Sequence, residues 1–147
     1  MNELREFSAR TVIDCPPEEA FDFVADHRNV PRVLEGTSRW DPVGRADGVG
    51  AVYRVEMRTF GVPLPATLEI DTWARPRRLG WRSTSGPIEQ RGRWTFKPVA
   101  GGTEVKLSIS YQPPAAAIGN FFAARIEGAV RHRLEDALGR MRELIEA

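Results

Sequence analysis

The chain has 147 residues, 41% of them apolar and 28% charged. Those are the proportions of one globular domain spanning residues 1–147, not of a disordered or membrane-embedded chain. Twenty-one basic residues against 20 acidic ones leave a net charge of +1, without the basic excess of a nucleic-acid binder. No segment reaches membrane-spanning length and the N-terminus lacks an apolar leader, so a cytoplasmic protein without integral membrane association is expected. The one cysteine, Cys15, cannot form an internal disulfide and reads as an inert thiol.

Phe7 to Ile13 alternates, with Phe7, Ala9, Thr11 and Ile13 on one face, and predicts a half-buried strand. Pro16-Pro17-Glu18-Glu19 opens a helix, with proline and acidic residues where the positive helix end favours them. Ala20, Phe21, Phe23 and Val24 form its apolar side, and it ends near Asp26 to Asn29. A second short helix is predicted over Val30 to Glu35, stopped by Gly36. From Thr37 to Gln112 the 3.6-residue period disappears and alternating runs follow one another between turns. Ser38 to Val43 contains Trp40. Ala51, Tyr53, Val55 and Met57 share one face of the next strand. Ala66, Leu68, Ile70 and Thr72 alternate with Thr67, Glu69, Asp71 and Trp73, which places Trp73 outward. Leu79, Trp81 and Ser83 follow, then Gly92, Trp94 and Phe96, a hairpin signal at Ala100-Gly101-Gly102, and Val105, Leu107, Ile109 and Tyr111. Turns this short imply antiparallel pairing.

Pro113-Pro114 ends the strands. Ala, Leu, Arg, Glu and Met then dominate to Ala147, predicting a helix of about 30 residues, roughly 45 Å long. Ile118, Phe122, Ile126, Val130, Leu134, Ala137, Leu138, Met141, Leu144 and Ile145 make its stripe. One strand, two helices, six strands and a long helix give an α+β domain, with the last helix covering the apolar face of the sheet. The outward strand positions carry Arg54, Glu56, Arg58, Glu69, Asp71, Arg82, Arg91, Arg93 and Lys106, a mixture of signs that reads as a solvated face.

The inward set holds aromatics, aliphatics and a few hydroxyls but no carboxylate and no histidine, which argues against proton-transfer catalysis. His27 and His132 lack the spacing of a metal pair, and no Cys/His/Asp cluster accompanies them; no metal and no cofactor are expected. His27 could sit at a cavity mouth. Arg125 projects between Phe121 and Phe122 on the apolar side of the long helix. It is either a snorkelling side chain or a cation looking into a cavity.

Val12-Ile13-Asp14-Cys15-Pro16-Pro17-Glu18-Glu19-Ala20-Phe21-Asp22-Phe23-Val24-Ala25-Asp26 resembles the opening of the START-related superfamily, also called SRPBCC, and within it the polyketide cyclase/dehydrase-like proteins. Arg78-Leu79-Gly80-Trp81-Arg82-Ser83, Trp94-Thr95-Phe96 and Gly102-Thr103-Glu104-Val105 are similar to the late strands of that family, and the long C-terminal helix completes the likeness. The resemblance implies a helix-grip fold, a curved seven-stranded antiparallel sheet wrapped around the long helix. It also implies a deep cavity between the two. Members bind lipids, sterols, polyketides or hormones, and some cyclise or dehydrate polyketides, so fold alone leaves function open.

The expected function is binding, transport or sequestration of a small, mainly apolar or amphipathic ligand, such as a lipid, isoprenoid or polyketide. The expected lining is Tyr53, Val55, Met57, Leu68, Ile70, Trp81, Ser83, Trp94, Phe96, Phe121, Phe122 and Arg125. The alternatives are a cyclase/dehydratase-type enzyme using the same cavity, with Arg125, Tyr53 and Ser83 polarising the substrate, and a protein-partner module using the outer face. No residue is singled out as catalytic.

Overall fold

The computed structural model describes the backbone of residues 5–59, 61–112 and 120–147, and the side chains of all of these but 59 and 120–126. Strand β1 (Arg5–Ile13) leads into helices α1 (Pro17–Ala25) and α2 (Val30–Val33). Strands β2 (Thr37–Pro42), β3 (Val52–Thr59), β4 (Val62–Ala74), β5 (Arg78–Ser85), β6 (Gln90–Val99) and β7 (Gly102–Tyr111) follow, then helix α3 (Asn120–Glu146). All strands join one antiparallel seven-stranded sheet in the order β1-β7-β6-β5-β4-β3-β2. Strands β2 to β7 are laid down by successive hairpins. Strand β1 instead pairs with β7, the last strand, from Arg5 opposite Tyr111 to Ile13 opposite Thr103. Helices α1 and α2 therefore carry the chain from one edge of the sheet to the other.

The alternation read from the sequence is the pleat of the sheet. Phe7 and Ile13 are buried, as are Tyr53, Val55, Leu68, Ile70, Leu79, Trp81, Trp94, Phe96, Val105, Leu107 and Tyr111. Helix α3 lies along β1, with further contacts to α2 and β7. Leu134, Ala137, Leu138 and Met141 make its buried stripe, at the i, i+3, i+4, i+7 spacing of one helix face. The predicted start of this helix at Pro114 lies outside the described residues. Helix α2 is shorter than predicted, because Leu34 has left helical backbone geometry while its N–H still bonds the Val30 carbonyl.

One predicted side is wrong. Trp73 was expected on the outer face, but its ring packs edge-on against Phe21 of α1, 5.3 Å between centroids. The cause is an irregularity in β4: Ile70 pairs with Trp81 but Thr72 with Gly80, which leaves Asp71 without a partner. Such a bulge inverts the parity of every residue beyond it. Trp73, opposite Leu79, thereby joins the inner face.

Three ties hold the ends of these elements. Arg75 Nε and Nη2 donate to the two Asp22 carboxylate oxygens at 2.8 and 2.9 Å, fixing α1 to the β4–β5 turn. The Asp14 N–H donates to Glu146 at 3.0 Å, joining the end of β1 to the end of α3. Thr103 Oγ1 donates to the Cys15 carbonyl at 2.7 Å in a fully buried position. Thr103→Val keeps the shape and removes that donor, leaving a buried carbonyl unsatisfied at a cost of about 1–3 kcal/mol. Thermal melting should show a midpoint lower by roughly 5 °C for Thr103→Val and less for Thr103→Ser, which keeps the hydroxyl. Equal melting of wild type and both variants would dismiss this bond as a stabilising tie.

Candidate functional site: an aromatic cavity beneath the first two helices

The inner face of the sheet turns toward α1 and α2 at its β2-to-β6 end. Val24, Ala25 and His27 from α1 and the segment after it, with Val30 and Leu34 from the α2 region, form one wall of a cavity. The strands supply the other: Trp40 from β2, Tyr53 from β3, Ile70 and Trp73 from β4, Leu79 and Trp81 from β5, and Trp94 from β6. The chain has four tryptophans, and all of them line this one space. It is narrow, with a volume of about 20 Å³ open to the centre of a water molecule, which is room for one such occupant.

The rings are set at angles to one another. Trp40 meets Trp81 edge to face, with 5.8 Å between centroids and an interplanar angle of 89°. Tyr53 lies 6.2 Å from Trp40 and 6.3 Å from His27. Trp81 has a specific seat. It pairs with Gly92 across the β5–β6 ladder, and a Cβ at position 92 would land within the six-membered part of its indole. The bare backbone of Gly92 is what lets the ring lie across β6. Trp81 is 4% exposed, and its Nε1–H has no hydrogen-bond partner among the described residues.

The rim is polar. Tyr53 donates its hydroxyl to the Ala46 carbonyl and so holds down the β2–β3 loop. Burial, then the negative fields of Asp47 and Asp26, push the Tyr53 phenol up to about 12, so it stays protonated and neutral at physiological pH. Beside His27, Asp26 accepts from Arg28 Nε and Nη2 at 2.9 and 2.8 Å. Chiefly through those bonds its carboxyl is held at about 2. Behind α1, burial and the neighbouring acids Glu19, Asp14 and Glu146 push the Cys15 thiol up to about 11, which leaves it protonated at neutral pH and a poor nucleophile.

Of the residues expected to line a cavity, Tyr53, Ile70, Trp81 and Trp94 come together here. Val55, Leu68 and Phe96 are buried in the core beside it, and Phe96 stacks on Trp94 at 6.5 Å. Met57 is half-buried against the same core. Ser83 accepts the Gln90 N–H at 2.9 Å, a bond from β5 to β6. The side chains of Phe121, Phe122 and Arg125 lie outside the described residues. Trp40, Trp73, Leu79, His27, the helix residues Val24, Ala25 and Val30, and Leu34 just after α2 complete the described lining. Of these only His27 had been placed near a cavity from the sequence. Trp73 was hidden by the bulge, and the tryptophan in the short β2 run was the one signal for Trp40.

Among the described residues that line this cavity there is no carboxylate, lysine or arginine. The described residues contain no group of three or more His, Cys, Asp or Glu side chains placed to hold a metal ion. No helix among them is long and apolar enough to cross a membrane.

A curved antiparallel sheet closed by a long C-terminal helix and two short helices is the helix-grip fold. Residues 5–146 match the family described as "Polyketide cyclase / dehydrase and lipid transport", and the chain belongs to that family. No curated protein matches the sequence. A crystal structure of a Thermus thermophilus protein is similar at a TM-score of 0.83 and 22% identity, covering 95% of each chain. The Zhui aromatase/cyclase of a Streptomyces species is similar at a TM-score of 0.79 and 16% identity, over 97% of this chain and 94% of that one. The protein Ara h 8.0201 has a TM-score of 0.65 and 14% identity, over 94% and 97% of the two chains. At these identities the likenesses establish the shared fold.

Proposed function

We propose that this protein binds a small, mainly apolar ligand, of lipid, isoprenoid or polyketide type, between its sheet and its helices, for transport or sequestration. The observation that carries this reading is the convergence of all four tryptophans, with Tyr53, on one cavity whose described walls bear no formal charge. Apolar walls with a few placed polar groups are what a ligand pocket needs. A domain that needed only a core would have no reason to gather its largest, amphipathic side chains around a gap. Membership in a family described by lipid transport supports the reading. The gap is smaller than a lipid, so binding requires the half-buried His27 at its rim to turn aside.

A second reading, a cyclase/dehydratase-type enzyme, is favoured by the fold shared with an aromatase/cyclase and by the imidazole of His27 among the lining residues. Against it, the other proton-bearing group, Tyr53, is engaged with Ala46 and too weak an acid for exchange near neutral pH.

Titration with the neutral fluorophore N-phenyl-1-naphthylamine tests the first reading. Saturable quenching of tryptophan emission with a rise in probe emission is expected, reversed by an apolar competitor. A folded protein that quenches nothing across lipid, isoprenoid and polyketide competitors overturns it. Conversion of a poly-β-ketone to an aromatic product, abolished by His27→Ala, would establish the second reading instead.

A further inference from the structure

We infer that the indole N–H of Trp81 is the specificity-determining donor of this cavity, and that the ligand it selects is a neutral compound carrying a carbonyl-type acceptor. This inference rests on the proposed ligand-binding function. Trp81 lines the cavity, is 4% exposed, and its Nε1 is fully buried without a hydrogen-bond partner among the described residues. A buried N–H without an acceptor is unfavourable and rare in native proteins. Tryptophan adds a donor to a core only at that cost, so the site is one where an acceptor belongs. The seat makes the donor's position definite: Gly92 opposite lets the ring lie across β6, and Trp40 meets it edge to face at 5.8 Å. The indole cannot easily turn to find another partner.

The rest of the lining sets the charge of the ligand. Among the described lining residues the other polar groups are the Tyr53 hydroxyl, already donated to Ala46, His27 at the rim, and the indole N–H groups of Trp40, Trp73 and Trp94, none of which is buried without a partner as that of Trp81 is. An anionic or cationic group beside Trp81 would be desolvated with no counter-charge among the described lining residues, which is costly. A ketone or quinone oxygen loses little on leaving water and gains a full hydrogen bond. A hydrocarbon of the same shape would leave the N–H unanswered.

Fluorenone and fluorene differ by a carbonyl in place of a methylene and form the test pair, each titrated by displacement of N-phenyl-1-naphthylamine. Wild-type protein should prefer the ketone by roughly 3- to 10-fold, the scale of one net hydrogen bond. Trp81→Phe keeps an aromatic ring over Gly92 and removes the donor, and should erase that preference while still binding fluorene. Nuclear magnetic resonance of the wild type gives a second readout that requires no variant. The Trp81 indole proton should shift downfield with fluorenone and not with fluorene. Equal affinities in the wild type, a preference that survives Trp81→Phe, or an indole proton indifferent to the ketone would each overturn this inference and leave the ligand-binding function standing. Failure of both compounds and the fluorophore to bind would overturn that function, and the inference with it.

Discussion

Cutting the chain after Gln112 should abolish the soluble fold. The truncation removes Leu134, Leu138 and Met141, none more than 2% exposed. Full burial of each such side chain contributes about 1.5–3 kcal/mol. Their sum is comparable with the whole stability of an ordinary domain, about 5–15 kcal/mol. It also uncovers the side of β1 and β7 along which α3 lies, leaving Ile13, Val105 and Leu107 facing water in an apolar patch that a monomer does not tolerate. Expression of residues 1–112 should give aggregated material without a cooperative melt. The single change Met141→Asp, which buries a carboxylate in the same stripe, should come close to the same result. A soluble truncation with a sharp thermal transition would show that the sheet closes on itself without the helix.

Gly92→Ala should be the most damaging single-methyl change for ligand binding. The added Cβ would land within the Trp81 indole, and β6 cannot retreat because it is paired on both sides, to β5 and β7. The ring must therefore swing off its seat, and the open side is the cavity. Overpacking of this kind costs about 1–3 kcal/mol of stability, which a domain of this size survives. A displaced indole fills a space of about 20 Å³ completely. Affinity for N-phenyl-1-naphthylamine should fall by about tenfold or more, equivalent to at least about 1.4 kcal/mol, in a protein that keeps its circular dichroism. Unchanged affinity in folded Gly92→Ala protein would mean that the ligand does not depend on the placement of Trp81.

The two changes act at different distances from the site, and together they separate the roles of helix and sheet. Helix α3 supplies cohesion along β1 and β7. The described cavity instead lies between the β2-to-β6 part of the sheet and the α1–α2 corner. That corner is held by buried packing, with Phe21 edge-on against Trp73 and Phe96 and with Val24, Val30, Val33 and Leu34 in the core, and on its surface by the Asp22–Arg75 pair, whose side chains are 56% and 49% exposed. Surface pairs of this kind contribute little to stability, so the packing of Phe21 and its neighbours, more than the ion pair, holds the corner in place.

The sequence by itself determined the elements and their inner faces wherever the pattern was regular. Phe7 to Ile13 alternates in the sequence and in the sheet, and the 134–141 stripe is apolar in both, because the two-residue and 3.6-residue periods are local properties of the backbone. The aromatic inner face, with Tyr53, Ile70, Trp81 and Trp94 on it, followed from the same rule. Three features were decided only by the tertiary structure. The unpaired Asp71 turned Trp73 inward, since a bulge depends on how two strands register and not on the alternation within one. The seat of Trp81 arose because its partner across the ladder is glycine, a pairing between residues eleven positions apart, fixed by the β5–β6 register. The convergence of His27 and Trp40 on those strands followed from β1 pairing with β7, which obliges α1 and α2 to cross the sheet and roof its opposite end. Local periodicity tells which side of an element is buried; only the pairing of distant strands and the sterics of their contacts decide what that side is buried against.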